Sequence, residues 1–455
     1  MGDRATLATG VPRDRVAFET VPRTDQSFEN ALAKARAGDR LTVADAVELL
    51  TTGSETQGID PERLAEVVAV ADQRRREDVG ETVTFVANRN NNVTTACDTG
   101  CLFCNYRDSA HTFETGYDGP QRGYTRPPSQ SRELVLDATR RGVSEVTAVS
   151  GLHPALALDA EHREMLQGSP DHVYRPPSTY RTDPGTYADQ LRAMALDGLH
   201  VHSMTPEEAA HARRGTDWEF ETVYRRLREA GLDSVPGTAA EILVEEVREV
   251  ICPAKIDTEG WLAAMQGAAA AGLGLTATML YGHVENEAHR AQHLARIREL
   301  QTETGAITEF VPLAFVHHET PLAERGLVEQ GPTEAESRLL VAVARLFLDN
   351  VAHVQASWVK YGDDLAVDLL QGGADDLSGT LLSESITSRA GGDNGEFRSI
   401  GALADLAASI DRVPVERSTD YERRRRIDPE ADEPGPVLGP LADGTPLLAP
   451  DETVP

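Results

Sequence analysis

The sequence predicts an α/β fold: a (β/α)8 TIM-type barrel with a helical extension before it and a disordered tail after it. Three observations lead there. Strand-like and helix-like segments alternate from Val83 to Leu348, a rhythm that builds a parallel sheet covered on both faces. No glycine-rich dinucleotide fingerprint follows the first strand, which disfavours an open doubly wound sheet. A loop bearing Cys97, Cys101 and Cys104 comes directly after that first strand, where barrels carry their functional groups.

Taken in order, residues 1–80 read as a polar helical extension, with apolar residues at helical spacing in 27–37, 43–50 and 61–77. Residues 83–86 are β-branched and apolar and open the core, which spans 81–392. Further strands are expected at 143–149, 199–202, 232–235, 275–281, 307–312 and 351–356. The intervening amphipathic helices are expected at 131–141, 207–230, 238–250, 257–271, 285–304 and 332–348. Two polar stretches with Pro and Gly, 109–130 and 159–181, break the rhythm and read as insertions. Residues 393–413 read as a helical segment packed on the barrel. Residues 414–455, with a basic run at 423–426 followed by Pro, Gly and acidic residues, read as a disordered tail.

The 455 residues, 40% of them hydrophobic, suffice for a large core. No run of about 18 apolar residues suggests a membrane span, and the first residues lack a signal-peptide pattern, so a soluble cytoplasmic protein is expected. The formal charge is −30, and lysine occurs only at Lys34, Lys255 and Lys360. An acidic, lysine-poor surface suits concentrated salt, in which charge repulsion is screened. It does not suit nucleic acid, which asks for a basic footprint.

The cysteines stand as CxxxCxxC, with Phe103 just before the last. Three thiolates on one short loop can hold three irons of a 4Fe-4S cubane and leave the fourth open. S-adenosylmethionine (SAM) can chelate that iron through its amino and carboxylate groups, where an electron cleaves its sulfonium to a 5′-deoxyadenosyl radical. A structural zinc site is the competing reading and needs a fourth ligand. His111 is close enough in sequence to supply one. Cys252, isolated before Pro253, reads as a small buried hydrophobe.

Beyond the cysteines, several segments share a pattern: 151–154 (GLHP), 200–208 (HVHSMTPEE), 236–243 (PGTAAEIL), 251–256 (ICPAKI), 278–285 (TMLYGHVE), 308–313 (TEFVPL), 355–362 (QASWVKYG) and 373–384 (GADDLSGTLLSE). With these, the stretch 85–392 resembles the radical SAM subgroup that contains the two FO synthase subunits, aminofutalosine synthase and the cyclic dehypoxanthine futalosine synthase. Within it the chain is most similar to the FO synthase subunit 2 family, through PGTAAEIL, TEFVPL and QASWVKYG. It departs in having Ser150 where a second glycine is expected, and Asp375-Asp376 is nearer the aminofutalosine synthase pattern.

The resemblance implies a radical SAM transferase of deazaflavin coenzyme biosynthesis. It would join the 4-hydroxybenzyl group of L-tyrosine to 5-amino-6-(D-ribitylamino)uracil, acting with FO synthase subunit 1 and an external electron donor. One CxxxCxxC excludes a fused bifunctional FO synthase. An aminofutalosine synthase-like enzyme of menaquinone biosynthesis and a non-enzymatic zinc protein are the alternatives.

The resemblance also assigns roles. Cys97, Cys101 and Cys104 hold the cluster. Phe103, Ser150, Gly151 and Glu241 serve SAM, with Phe103 against adenine and Glu241, one turn into a helix, either on the ribose or capping that helix. His153, His283, Lys255 and Lys360 are the candidates for catalysis, the lysines because a compact ammonium survives at two places in a chain otherwise given to arginine. Thr278, Glu285, Gln355, Ser357, Asp376, Thr380 and Glu384 are the candidates for holding substrate.

Overall fold

The computed structural model describes residues 25–51, 53–54, 58–97, 99–104, 123–169, 174–382, 387 and 391–428. Its strands, in chain order, are β1 (Gly53–Ser54), β2 (Gly58–Ile59), β3 (Thr82–Val86), β4 (Asn88–Asn90), β5 (Glu145–Ala148), β6 (His200–Ser203), β7 (Ser234–Val235), β8 (Gly274–Tyr281), β9 (Ile307–Ala314), β10 (His353–Val354), β11 (Asp376–Gly379), β12 (Val413–Arg417) and β13 (Arg424–Arg426).

Strands β4 to β10 form one all-parallel sheet in sequential order. Isolated parallel bridges continue it: Gln355 pairs with Asp376, and Leu382 pairs with Arg89. The eight parallel segments therefore come back on themselves. Thr380 clasps the seam, its Oγ1 donating to the Asn88 carbonyl at 2.7 Å and accepting from the Asn88 amide at 2.9 Å. Helices such as Thr258–Ala270, Glu287–Thr304 and Glu334–Phe347 cover the outside, and a continuous apolar core lies between them and the sheet. The expected barrel is the observed one.

The three N-terminal helices, Asp25–Ala37, Val43–Leu50 and Pro61–Val79, pack into the same core. Among the described residues no helix is long and apolar enough to cross a membrane.

Three expectations change. The helix expected at 207–230 is two, Pro206–Ala212 and Phe220–Glu229, interrupted at Gly215, whose φ of 74° no helix accepts. The helix expected at 238–250 begins only at Glu245, because Ala239 (φ 79°) and Glu241 (φ 46°) take left-handed backbone in a loop. Finally, residues 414–428, expected within the disordered tail, lie in β12, β13 and the turn joining them. Here β12 pairs in parallel with β3, and β13 pairs antiparallel with β12. Polarity misleads at this point, since Arg417 and Glu416 are buried against charged partners rather than solvated. Residues 429–455 lie outside the described ones. So does most of the 109–130 insertion, while the 159–181 insertion includes the helix Ala160–Gly168.

Candidate active site

The cysteine loop leaves β4 at the C-terminal mouth of the barrel. Two backbone hydrogen bonds pin it: Leu102 N–H donates to the Ile251 carbonyl at 2.8 Å, and Leu322 N–H donates to the Leu102 carbonyl at 3.0 Å. Gly100, at φ 71°, supplies the turn between the first two cysteines. None of the three cysteines is in a disulfide, and all three line one cavity of about 1130 Å³ including its open mouth, with Ser150, Gly151, Glu207, Glu208, Glu241, Lys255 and Lys360 among its walls. Burial pushes the Cys101 thiol far up, so forming its thiolate needs a strongly positive partner such as iron.

Ser150 and Gly151 close the wall opposite. The Gly151 amide donates to the Thr94 carbonyl at 2.9 Å. A Cβ at 151 would run into the Ala96 carbonyl oxygen and stand 3.2 Å from Cys97 Cβ, so glycine is what lets β5 approach the cysteine loop. The serine at 150, found where a second glycine was expected, has a local purpose: its Oγ accepts the Val93 amide at 2.7 Å. This close-fitting cradle and three thiols on its rim fit a cubane cluster with SAM. Among the described residues no three His, Cys, Asp or Glu side chains converge on a single metal ion. Thiols that each take a different iron need no such convergence.

Acidic side chains ring the rest of the mouth. Glu208 receives the Ser150 amide at 3.2 Å and the Thr205 hydroxyl at 2.8 Å; burial nonetheless pushes it up to about 7. Glu241 is not on a helix, so its capping alternative falls. From its left-handed backbone it meets Lys255 Nζ at 2.6 Å, and that ammonium stands 5.2 Å from the Phe103 ring centre. Burial works against the Lys255 charge, but Glu241, Cys101 and Glu207 outweigh it and hold the lysine protonated well above its usual range.

A second cavity, about 1000 Å³, adjoins the first; Val149, Thr238, Leu313 and Lys360 line both. It is the barrel lumen. Barrel interiors are normally filled by branched apolar side chains. This one is lined by Asn88, Glu145, Thr147, His202, Thr276 and Glu309. Its floor comes from the C-terminal segment. Arg417 Nε donates to Asp376 at 2.6 Å and its Nη2 to Glu309 at 3.1 Å. The Tyr421 hydroxyl donates to Glu309 at 2.7 Å. Thr419 donates to Glu145 at 2.6 Å. Burial works against the Glu145 carboxylate, yet His202, the Thr419 hydrogen bond and Arg417 outweigh it and hold the group low in the carboxylate range. Burial pushes Glu309 up, against Arg417.

Of the candidate site residues, the three cysteines, Phe103, Ser150, Gly151, Glu241, Lys255 and Lys360 surround the first cavity, and Thr278, Gln355 and Ser357 the second. Others do not reach either. His153 is fully buried behind the wall, edge-on to Tyr180, accepting the Ala155 amide at 3.1 Å; burial lowers it to about 4. His283 and Glu285 bond each other (2.9 Å), and Glu285 also meets Arg290 (2.8 Å), an arrangement that secures the turn after β8. Asp376 supports the floor through Arg417, and Thr380 clasps the seam. Glu384 lies outside the described residues. Glu207, Glu208, Glu145, His202, Glu309, Arg417 and Thr419 were missed. Glu207 and Glu208 were within reach, because they end the quoted HVHSMTPEE segment.

A parallel barrel whose cysteine-bearing first loop opens on a cavity cradled by glycine defines a radical SAM protein. A family model of the radical SAM superfamily matches residues 91–297, and one described as the CofH/MqnC C-terminal region matches 304–428. In fold, the chain is similar to methylornithine synthase, with a TM-score of 0.59 at 17% identity over 84% of this chain and 97% of that one. In sequence it is 64% identical to the 5-amino-6-(D-ribitylamino)uracil–L-tyrosine 4-hydroxyphenyl transferase of Haloarcula marismortui, over 96% of this chain and 98% of that protein. It is 60% identical to the protein of the same name from Halobacterium salinarum, over 95% and 96%. The chain belongs to this 4-hydroxyphenyl transferase family, which the alternatives of an aminofutalosine synthase and a zinc protein do not survive. Relatives from halophilic organisms accord with the acidic, lysine-poor composition.

Proposed function

We propose that this chain joins the 4-hydroxybenzyl group of L-tyrosine to 5-amino-6-(D-ribitylamino)uracil. The products are 5-amino-5-(4-hydroxybenzyl)-6-(D-ribitylimino)-5,6-dihydrouracil, 2-iminoacetate, methionine and 5′-deoxyadenosine. The observation that carries this reading is the 64% identity, which runs nearly end to end through both chains.

Cys97, Cys101 and Cys104 would hold a 4Fe-4S cluster, which together with SAM would supply 5′-deoxyadenosyl radical chemistry. The chain's own residues do the rest. Phe103, flanked by Lys255, offers a flat wall for adenine, and the Glu241–Lys255 pair offers both a hydroxyl acceptor and an ammonium for SAM's polar groups. Glu208, poised near 7, can hold or release a proton at Oε1 close to the Ser150 amide. Lys360 stands where the two cavities meet and is suited to a tyrosine carboxylate. Because the cavities share walls, the benzyl fragment passes from one substrate to the other without entering bulk water, which protects a radical. A second subunit that closes the deazaflavin ring, an external electron donor and a cytoplasmic setting complete the reading.

The test is anaerobic: reconstitution with iron and sulfide in high salt, then SAM, reductant, L-tyrosine and 5-amino-6-(D-ribitylamino)uracil, with products read by mass spectrometry. A hydroxybenzylated pyrimidine and matching deoxyadenosine are expected. Deoxyadenosine without the adduct would remove the substrate assignment.

A further inference from the structure

We infer that the floor of the lumen, built from Glu145, Arg417 and Thr419, is the subsite for a polyhydroxylated chain on a neutral pyrimidine, and that the C-terminal segment carrying Arg417 and Thr419 sets specificity for that chain. The inference rests on the proposed function and adds which substrate lies where.

The first argument is a count of donors and acceptors. Two carboxylates, Glu145 and Glu309, line the lumen, with Asp376 buried beneath them, and among the described lining residues Arg417 is the guanidinium that faces them. Carboxylates only accept hydrogen bonds. Glu145 takes Asn88 (3.1 Å) and Thr147 (2.8 Å) on Oε1 and Thr419 (2.6 Å) on Oε2. With its hydrogen committed to Glu145, the Thr419 hydroxyl has only acceptor capacity left for a ligand in the cavity that both residues line. A floor rich in acceptors and in buried negative charge calls for a ligand that donates O–H and N–H groups and brings no negative charge. A ribityl chain and a pyrimidine N–H do that.

The second argument is exclusion. Tyrosine carries a carboxylate, and placing it against the buried carboxylates of the floor is unfavourable, because like charges sharing a low-dielectric site repel. The lysines that could receive it, Lys255 and Lys360, line the upper cavity and the junction instead. Charge alone therefore sorts the two substrates, the amino acid above and the neutral pyrimidine below.

The third argument is strain. Ser378 and Leu381 line the lumen with φ of 74° and 58°, left-handed backbone that is strained at a non-glycine residue. Such residues persist where a cavity wall must be held in shape. The floor segment is also the part of the chain outside the radical SAM family match and inside the C-terminal one.

The test is anaerobic calorimetry on the cluster-loaded protein with SAM and no reductant, titrating 5-amino-6-(D-ribitylamino)uracil, chain-less 5,6-diaminouracil and L-tyrosine in turn. Thr419→Val should weaken the ribityl compound by about tenfold, the range for one lost hydrogen bond, and leave 5,6-diaminouracil and tyrosine unchanged. Thr419→Ser, which keeps the hydroxyl, should bind all three as the parent does and guards against misfolding. Glu145→Gln should repeat the selectivity of Thr419→Val. Equal losses for both pyrimidines, no loss at all, or a loss confined to tyrosine would overturn the subsite while leaving the proposed function standing. A parent protein that binds tyrosine and SAM but neither pyrimidine would remove both.

Discussion

The mouth of this barrel and its floor are built on opposite plans. At the mouth, functional groups come in small clusters, each within one short stretch of chain that follows a strand: Cys97 to Cys104, Ser150 and Gly151, and Glu207 and Glu208 in the first turn of the helix Pro206–Ala212. At the floor the partners are far apart in the chain. Glu145 meets Thr419 and Thr84 meets Asp376, while Glu309 meets both Arg417 and Tyr421. A local plan tolerates sequence drift elsewhere, because the motif travels as one piece. A dispersed plan makes the floor dependent on the whole barrel closing correctly.

The comparison predicts different modes of failure. The largest effect is at the mouth. Cys101→Ala should remove the visible iron–sulfur absorption and all deoxyadenosine formation, while thermal unfolding stays close to the parent's. Cys252→Ala is the control: that thiol is buried but lines neither cavity, so cluster content should persist. Retained SAM cleavage in Cys101→Ala would break the assignment of the cluster.

At the floor the expected loss is stability. Arg417→Met leaves Glu309 and Asp376 buried without their cation, and removing one partner of a buried pair costs about 3–5 kcal/mol. Urea unfolding should show it as a lowered midpoint, with cluster content unchanged in the fraction that remains folded. A midpoint within error of the parent's would mean the floor is not a structural keystone.

This division explains what was legible in the sequence. Strands β5 to β10 announced themselves through apolar, β-branched runs, and the CxxxCxxC loop through spacing alone. Strand β11, Asp-Leu-Ser-Gly, has no such signature; it is a strand because Thr84, Arg417 and the Ser378 amide satisfy Asp376. Strand β12 hid for a related reason. Val-Pro-Val-Glu-Arg followed by an arginine run reads as solvated, and only the carboxylates waiting inside the barrel make it buried. The loop carrying Glu241 was mistaken for helix because PGTAAEIL is rich in helix formers. Its left-handed residues are imposed by tertiary contact, which propensity does not record.

That loop leads to the smallest effect, and to a place where mouth and wall are joined. His293, on the helix Glu287–Thr304, accepts the Leu243 amide on Nδ1 at 3.0 Å and so ties down the end of the segment that presents Glu241. Burial lowers this histidine to about 3, against roughly 6.5 for an exposed one. The unfolded chain therefore takes up the proton first as pH falls. The stabilisation from a neutral His293 is complete above about 6.5 and is lost progressively toward pH 3, with a slope of up to about 1.4 kcal/mol per pH unit from this one group. His293→Gln keeps an acceptor and removes the titration, so its stability should fall less steeply than the parent's across that window. His153 and His202, each lowered to about 4, add parallel slopes that the substitution leaves in place. Urea midpoints measured from pH 7 to pH 4 in parent and variant separate the contributions. Identical slopes would show that the Leu243 contact does not depend on a neutral ring, and the mouth would then be held from its own loops alone.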